Sequence, residues 1–143
     1  MYTGIQHFHS YLAYLLLAVL IVAILVNLIA FLQGKQFSEA NRKMALYGLI
    51  ATHLQVVLGL ILYFVSPMGL AAFSGAAMKD PVARLYFLEH PLMMLLAAVL
   101  ITIGYSKSKR IEASDRKFRI MLAFYAIGLV FILSRIPWAN WLN

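Results

Sequence analysis

The chain has 143 residues, of which 64% are hydrophobic and only 12% are charged, and its mean hydropathy is +0.86. A water-soluble domain of this size could not bury so much apolar surface, so the composition excludes an ordinary soluble protein. The net charge of +7 is divided among short segments without a recognition element, which argues against nucleic-acid binding. The absence of cysteine excludes disulfides, cysteine-ligated iron–sulfur clusters and thioether-linked haem.

Four apolar runs are long enough, or nearly so, to cross a hydrocarbon layer, which takes about 20 helical residues. They cover residues 10–32, 44–65, 81–105 and 118–136. Turn and capping signals separate the runs: Gln33-Gly34-Lys35, Ser66-Pro67 and Asp80-Pro81, the last typical of an N-cap followed by proline. The sequence therefore predicts an all-α fold, with residues 1–143 forming one integral membrane four-helix bundle.

The basic residues predict the orientation of the bundle, because cytoplasmic loops carry an excess of lysine and arginine. Most of the twelve fall in or beside the first and third loops, namely Lys35, Arg42, Lys43, Lys107, Lys109, Arg110, Arg116, Lys117 and Arg119. The others are Lys79, Arg84 and Arg135. Both termini are therefore expected outside, in the periplasm of a Gram-negative host, and the protein is expected in a bacterial inner membrane.

Four histidines lie on or at the edge of the apolar runs. Counting along the helices places His7 and His9 at the outer interface, His90 in the outer leaflet and His53 near the midplane. An ionisable residue at membrane depth is costly to insert, which makes it a functional candidate. Paired imidazoles favour haem b, whose iron takes a neutral histidine nitrogen on each face. The alternative is that each histidine only hydrogen-bonds a neighbouring helix.

The third run places a second ionisable group, Glu89, directly before His90. Such a carboxyl group must be neutralised by protonation, a cation or a strong hydrogen bond. Arg135 is the best-placed cation, either for Glu89 or for a haem propionate, unless it extends to the lipid headgroups. Pro91 cannot donate to the carbonyl of Phe87, so the helix is expected to be irregular and kinked beside His90.

The second run carries a stripe of small or polar residues on one helical face: Gly48, Ala51, Thr52, Gln55 and Gly59. Small residues let helices approach closely in lipid, so the Gly48/Ala51/Gly59 part of this stripe predicts a helix–helix contact.

Several motifs carry a resemblance to a known family: Gln6-His7-Phe8-His9-Ser10, Thr52-His53-Leu54-Gln55 with Gly59-Leu60-Ile61-Leu62-Tyr63-Phe64, Met78-Lys79-Asp80, and Glu89-His90-Pro91 with Ile103-Gly104. Through them nearly the whole chain resembles the small four-helix cytochrome b-like membrane proteins of Bacteroidetes. This resemblance implies a haem b protein.

A more distant resemblance is to one four-helix half of haem A synthase. His9 and His90 look like its two histidines, and Gln55-Val56-Val57-Leu58-Gly59 looks like the motif of the helix between them. The synthase has a glutamate before its first histidine, whereas position 6 here is glutamine and the nearest carboxylate adjoins His90. The synthase also needs two halves. These departures argue against synthase chemistry in this chain.

The family-like arrangement favours His9 with His90 as the haem ligands. Counted along the helices, the membrane depth of His53 is closer to that of His90 than the depth of His9 is. His53 therefore stays open as the alternative ligand or as a quinone or proton site. The leading expectation is thus a haem b-binding electron-transfer protein with bis-histidine ligation near the periplasmic face, surrounded by Gln55, Glu89 and Arg135.

Two other functions are considered. The chain is small and has few residues outside the membrane, which is typical of a non-catalytic accessory subunit in a larger membrane or respiratory complex. Alternatively His7 and His9, with Met68 or Met78, gather copper at the outer rim. The expected partners are the lipid bilayer and either a membrane complex or a quinone, and an electron-transfer or accessory role is favoured over a stand-alone enzyme.

Overall fold

The computed structural model describes residues 1–141, and these residues form helices joined by short connections. Helix α1 spans Tyr2–Leu32, α2 spans Glu39–Val65, α3 spans Pro81–Lys109, α4 spans Ser114–Ser134, and the short α5 spans Trp138–Trp141. The 3-10 turns Leu70–Ala72 and Ala77–Lys79 lie between α2 and α3. Helices α1 to α4 are long and apolar enough to cross a membrane, which confirms the all-helical prediction with four such helices.

Local signals set the ends of these helices. Gly34 has a φ of +65°, a left-handed conformation that stops α1. Ser38 begins α2 through a capping box, and Asp80 begins α3 by accepting a 2.9 Å hydrogen bond from the backbone N–H of Val82. The cap at Ser38 lets α2 begin at Glu39, before its predicted apolar run. Helix α4, in contrast, ends before the predicted residue 136, because Pro137 disfavours helical geometry at the residue before it.

The four long helices are antiparallel, with α1 packed mainly on α2 and α3 mainly on α4. The start of α1, the end of α2, the start of α3 and the end of α4 lie together, and we call this the histidine end because it holds His7, His9 and His90. The other end carries the loops 33–38 and 110–113, and we call it the basic end. It holds the nine lysines and arginines that the sequence groups in and beside these loops.

The outer surface of the bundle is apolar. Leu54, Val99 and Val130 are more than half exposed, and less than a third of each helix's most apolar window is buried inside the bundle. In water this surface would drive aggregation, whereas hydrocarbon is its natural solvent. The distribution of apolar residues is therefore that of a protein whose helices face lipid.

Buried polar contacts hold the basic end together. The Tyr125 hydroxyl, on α4, donates a 2.6 Å hydrogen bond to the Ala45 carbonyl oxygen on α2. Asn27 of α1 is fully buried, and its amide nitrogen lies 3.4 Å from the carbonyl oxygen of Asn41 on α2. Such bonds between helices stabilise a bundle in an apolar medium, where water cannot replace them.

Gly104 lets α3 and α4 approach closely, and its replacement tests this packing. A methyl group at position 104 would lie 2.5 Å from Cβ of Phe124, so Gly104→Ala must displace α4. We expect Gly104→Ala to lower the free energy of unfolding by about 1–3 kcal/mol, measured by thermal denaturation in detergent. Gly4→Ala is the matched control, because nothing lies within 4 Å of a methyl group there. Equal stability of the two variants would contradict close packing at Gly104.

Candidate cofactor site

A half-open cavity of about 200 Å³ lies between the four long helices at the histidine end. Each helix contributes to its wall, with His9 from α1, Gln55 and Gly59 from α2, His90 from α3 and Ile132 from α4. Most of the lining is apolar, and the two histidines provide its metal-binding nitrogen atoms. An apolar cavity with a few convergent polar groups is the usual form of a cofactor site.

His90 is held in one orientation by the end of α4. Its Nδ1 lies 2.8 Å from the carbonyl oxygen of Arg135. A carbonyl oxygen can only accept a hydrogen bond, so Nδ1 must carry the proton and Nε2 keeps its lone pair. Histidines that bind metals are commonly prepared in this way, with one ring nitrogen donating to a carbonyl and the other free to coordinate.

His9 faces His90 across the cavity, with 6.3 Å between the ring centroids and 86° between the ring planes. The side-chain amide of Gln55 donates a 2.9 Å hydrogen bond to the His9 carbonyl oxygen and lies 3.3 Å from His9 Nε2. Gln55 therefore fixes α1 against α2 at the level of the His9 ring.

Two buried polar atoms beside these rings lack a hydrogen-bond partner among the described residues: Nδ1 of His9 and Oε1 of Gln55. An unsatisfied buried polar atom costs about 1–3 kcal/mol. Such atoms are rare in folded proteins, and of the three among the described residues two belong to this cavity, while the third is Oδ1 of Asn27. They mark the place where a bound group would gain most from polar contact.

The His9 ring lies directly against the backbone of α2 at Gly59. A methyl group at position 59 would lie 3.1 Å from His9 Cε1, so a larger residue would push the ring. The predicted small-residue stripe thus has two roles. Gly48 packs against Leu20 and Tyr125, as expected for a helix–helix contact, whereas Gly59 makes space for the histidine ring.

Glu89 lies between two arginines and directly precedes His90, which lines the cavity. Its Oε1 is 2.7 Å from Nε of Arg84, and its Oε2 is 3.2 Å from Nε of Arg135. The pairing of Glu89 with Arg135 confirms the expected counter-ion, while Arg84 was missed by the sequence analysis. The group of three charged side chains carries a surplus of one positive charge, next to His90.

A π-helical turn, Leu85–Glu89, explains the contact between Arg84 and Glu89. In a regular α-helix, residues five apart point about 140° away from each other. A π turn repeats after about five residues and brings them to one side. The irregularity expected beside Pro91 is therefore confirmed, and it takes the form of this π turn rather than a simple kink.

His53 lies outside the cavity. Its Nε2 is 2.8 Å from the hydroxyl oxygen of Thr102, and this hydroxyl donates its own proton to the Ala98 carbonyl oxygen at 2.6 Å. His53 Nε2 must therefore donate, and the ring joins α2 to α3 on the exposed surface of the bundle. His7 is also exposed and does not line the cavity, and of the two candidate methionines only Met68 does.

Comparisons of the chain with protein-family models, curated proteins and solved structures gave no match. Within residues 1–141, no three His, Asp or Glu side chains gather closely enough to hold a metal ion. The function is therefore inferred from the geometry of the described residues.

Glu89→Gln tests the charged group beside His90. Removing the negative charge leaves Arg84 and Arg135 facing each other without an anion, and we expect the free energy of unfolding to fall by about 1–2 kcal/mol, since Glu89 is partly shielded from solvent. Asp115→Asn is the control, because Asp115 and Arg119 form an exposed 3.9 Å pair. Thermal denaturation in detergent should show a lower midpoint for Glu89→Gln only, and equal midpoints would contradict this assignment.

Proposed function

We propose that the protein binds haem b inside a membrane and transfers electrons, with His9 and His90 as the residues that would hold the iron. The separation of 6.3 Å between their ring centroids carries this proposal. A metal–nitrogen bond is about 2 Å long and a ring nitrogen lies about 1.1 Å from its centroid, so two imidazoles on opposite faces of one metal have centroids about 6 Å apart.

The ligand set suits haem better than a bare metal ion. Haem iron takes four nitrogens from the porphyrin and needs only two from the protein. His90 offers a free Nε2 lone pair, held in place by its bond to the Arg135 carbonyl. Bound haem b would supply one-electron redox chemistry, while the residues of this chain orient the ligands and exclude water.

The walls of the cavity also favour a large planar apolar group with acidic substituents. Leu16, Met94 and Ile132 supply apolar surface beside the histidines. Beside His90, Arg84 and Arg135 share the single carboxylate of Glu89, so positive charge would remain for the propionate groups of haem. Gln55 would support the site through its contacts with His9.

The proposed setting is a bacterial inner membrane, with both termini and the haem toward the periplasm. The concentration of lysine and arginine at the basic end supports this orientation, because positively charged loops stay in the cytoplasm. The proposed electron partner is a quinone or a larger respiratory complex, reached through the lipid or through the half-open side of the cavity.

Histidine substitutions test the ligand assignment. We expect wild-type protein, expressed with ample haem and purified in detergent, to give b-type Soret and α bands near one haem per chain by the pyridine haemochrome assay. His9→Ala and His90→Ala should each lose most of the bound haem, because each removes one proposed ligand of the iron. His53→Ala is the matched control, since its ring bonds Thr102 and lies outside the cavity.

The possible results separate the alternatives. A wild-type protein without haem would refute haem binding. Loss of haem in His53→Ala with retention in His9→Ala would replace His9 by His53 as the ligand. Retention of haem in His90→Ala would refute His90 as a ligand, and the proposal depends mainly on this residue.

Gly59→Ala tests the position of the His9 ring without removing a ligand. The added methyl group must push the ring, so we expect haem affinity to fall roughly tenfold, as for changes that reorient metal ligands. Gly48→Ala is equally crowded but contacts Leu20 and Tyr125, and it should leave haem affinity unchanged. Haem titration of the two apo-proteins, followed at the Soret band, measures the difference. Equal affinities would show that the His9 ring does not bind the iron.

A further inference from the structure

A second pocket, of about 150 Å³, lies at the basic end and is separate from the histidines. It opens between the start of α2, the end of α3 and the start of α4. Its lining combines basic, aromatic and hydroxyl side chains: Phe37, Arg42, Tyr105, Ser108, Lys109 and Lys117, together with Ala45. Its position at the ends of the helices corresponds to the level of lipid headgroups in a bilayer.

Two lysines of this pocket have no anionic partner. Nζ of Lys109 lies 5.4 Å from the ring centroid of Tyr105, and Nζ of Lys117 lies 5.4 Å from that of Phe37. Both rings belong to the pocket, so these cation–π contacts hold the ammonium groups beside it. Within residues 1–141, no carboxylate forms an ion pair with either lysine.

Arg42 has a different role in the same pocket. Its guanidinium forms an ion pair with Glu39 and donates a 3.0 Å hydrogen bond to the Tyr105 hydroxyl oxygen. Glu39 therefore neutralises Arg42, and the hydroxyl proton of Tyr105 remains available to an acceptor. The pocket keeps a surplus of two positive charges, both on the lysines.

We infer that this pocket binds a phosphate group, supplied by the headgroup of an anionic lipid or by free phosphate. Two ammonium groups and a hydroxyl donor around a small cavity match the charge and the acceptor oxygens of phosphate. Basic pockets between membrane helices are known to hold anionic headgroups, and a lipid would place its acyl chains along the apolar outer surface.

The experiment compares three full-length proteins, delipidated in detergent: wild type, Lys109→Gln/Lys117→Gln, and the control Lys35→Gln/Lys43→Gln. The control removes the same charge from the basic end, but neither of its lysines lines the pocket. Native mass spectrometry measures binding of added phosphatidylglycerol, with phosphatidylcholine as the neutral comparison. Arg42 is left unchanged because its contacts with Glu39 and Tyr105 are structural.

We expect phosphatidylglycerol binding to fall about tenfold or more in Lys109→Gln/Lys117→Gln and to change little in the control. Thermal denaturation with inorganic phosphate, without lipid, distinguishes the source: stabilisation of wild type but not of Lys109→Gln/Lys117→Gln would assign the site to free phosphate. Equal binding by all three proteins, or an equal loss in both variants, overturns the inference. Unchanged melting of the variants without added ligand shows that they fold.

Discussion

The hydrogen bond from His90 Nδ1 to the Arg135 carbonyl oxygen is the contact on which the histidine end depends. The last carbonyl groups of a helix have no donor within that helix, and away from water they need one from elsewhere. Here the donor is an imidazole of α3, so one bond satisfies the end of α4 and fixes the tautomer of His90. Because the carbonyl at the end of α4 requires the proton on Nδ1, Nε2 keeps its lone pair.

Residues next to His90 also join α3 to α4, and in this contact the charged donor group belongs to α4. Glu89, one residue before His90, forms an ion pair with the side chain of Arg135, while the Arg135 backbone carbonyl accepts from His90. Two adjacent residues of α3 are thereby tied to one residue of α4. The π turn before them adds Arg84 to the group. A regular helix would direct Arg84 away, leaving Glu89 with only one cation.

The sequence predicted the helices well because hydropathy and capping are local properties. Asp80 and Gly34 act where their residue types indicate. The sequence also offered Arg135, at the outer end of the fourth run, as the cation for Glu89 or for a haem propionate, and the structure pairs it with Glu89. Its choice of His9 over His53 as the partner of His90 rested on the resemblance, because depth along a helix favoured His53 and says nothing about which face a side chain occupies. His53 points to Thr102 on the outside, whereas His9 points into the cavity.

Other features depend on three-dimensional packing that no short pattern encodes. The π turn changes the direction of Arg84, although Pro91 did mark its place. Gly59 belongs to a stripe of small residues that resembles ordinary helix packing, and only the position of the His9 ring shows its separate role. Asn27 lies in a long apolar run and gave no signal beyond its polarity, yet it is completely buried at the contact of α1 with α2.

The two ends of the bundle differ in how their polar groups are satisfied. At the basic end, Tyr125 and Arg42 bind partners on other helices and Ser38 caps the α2 terminus, although Oδ1 of Asn27 is buried without a partner. At the histidine end, His9 Nδ1 and Gln55 Oε1 stay unsatisfied around a cavity. The bonds between helices at the basic end can hold the helices in register while the histidine end keeps a cavity, where a bound group would satisfy polar atoms that the chain leaves without partners.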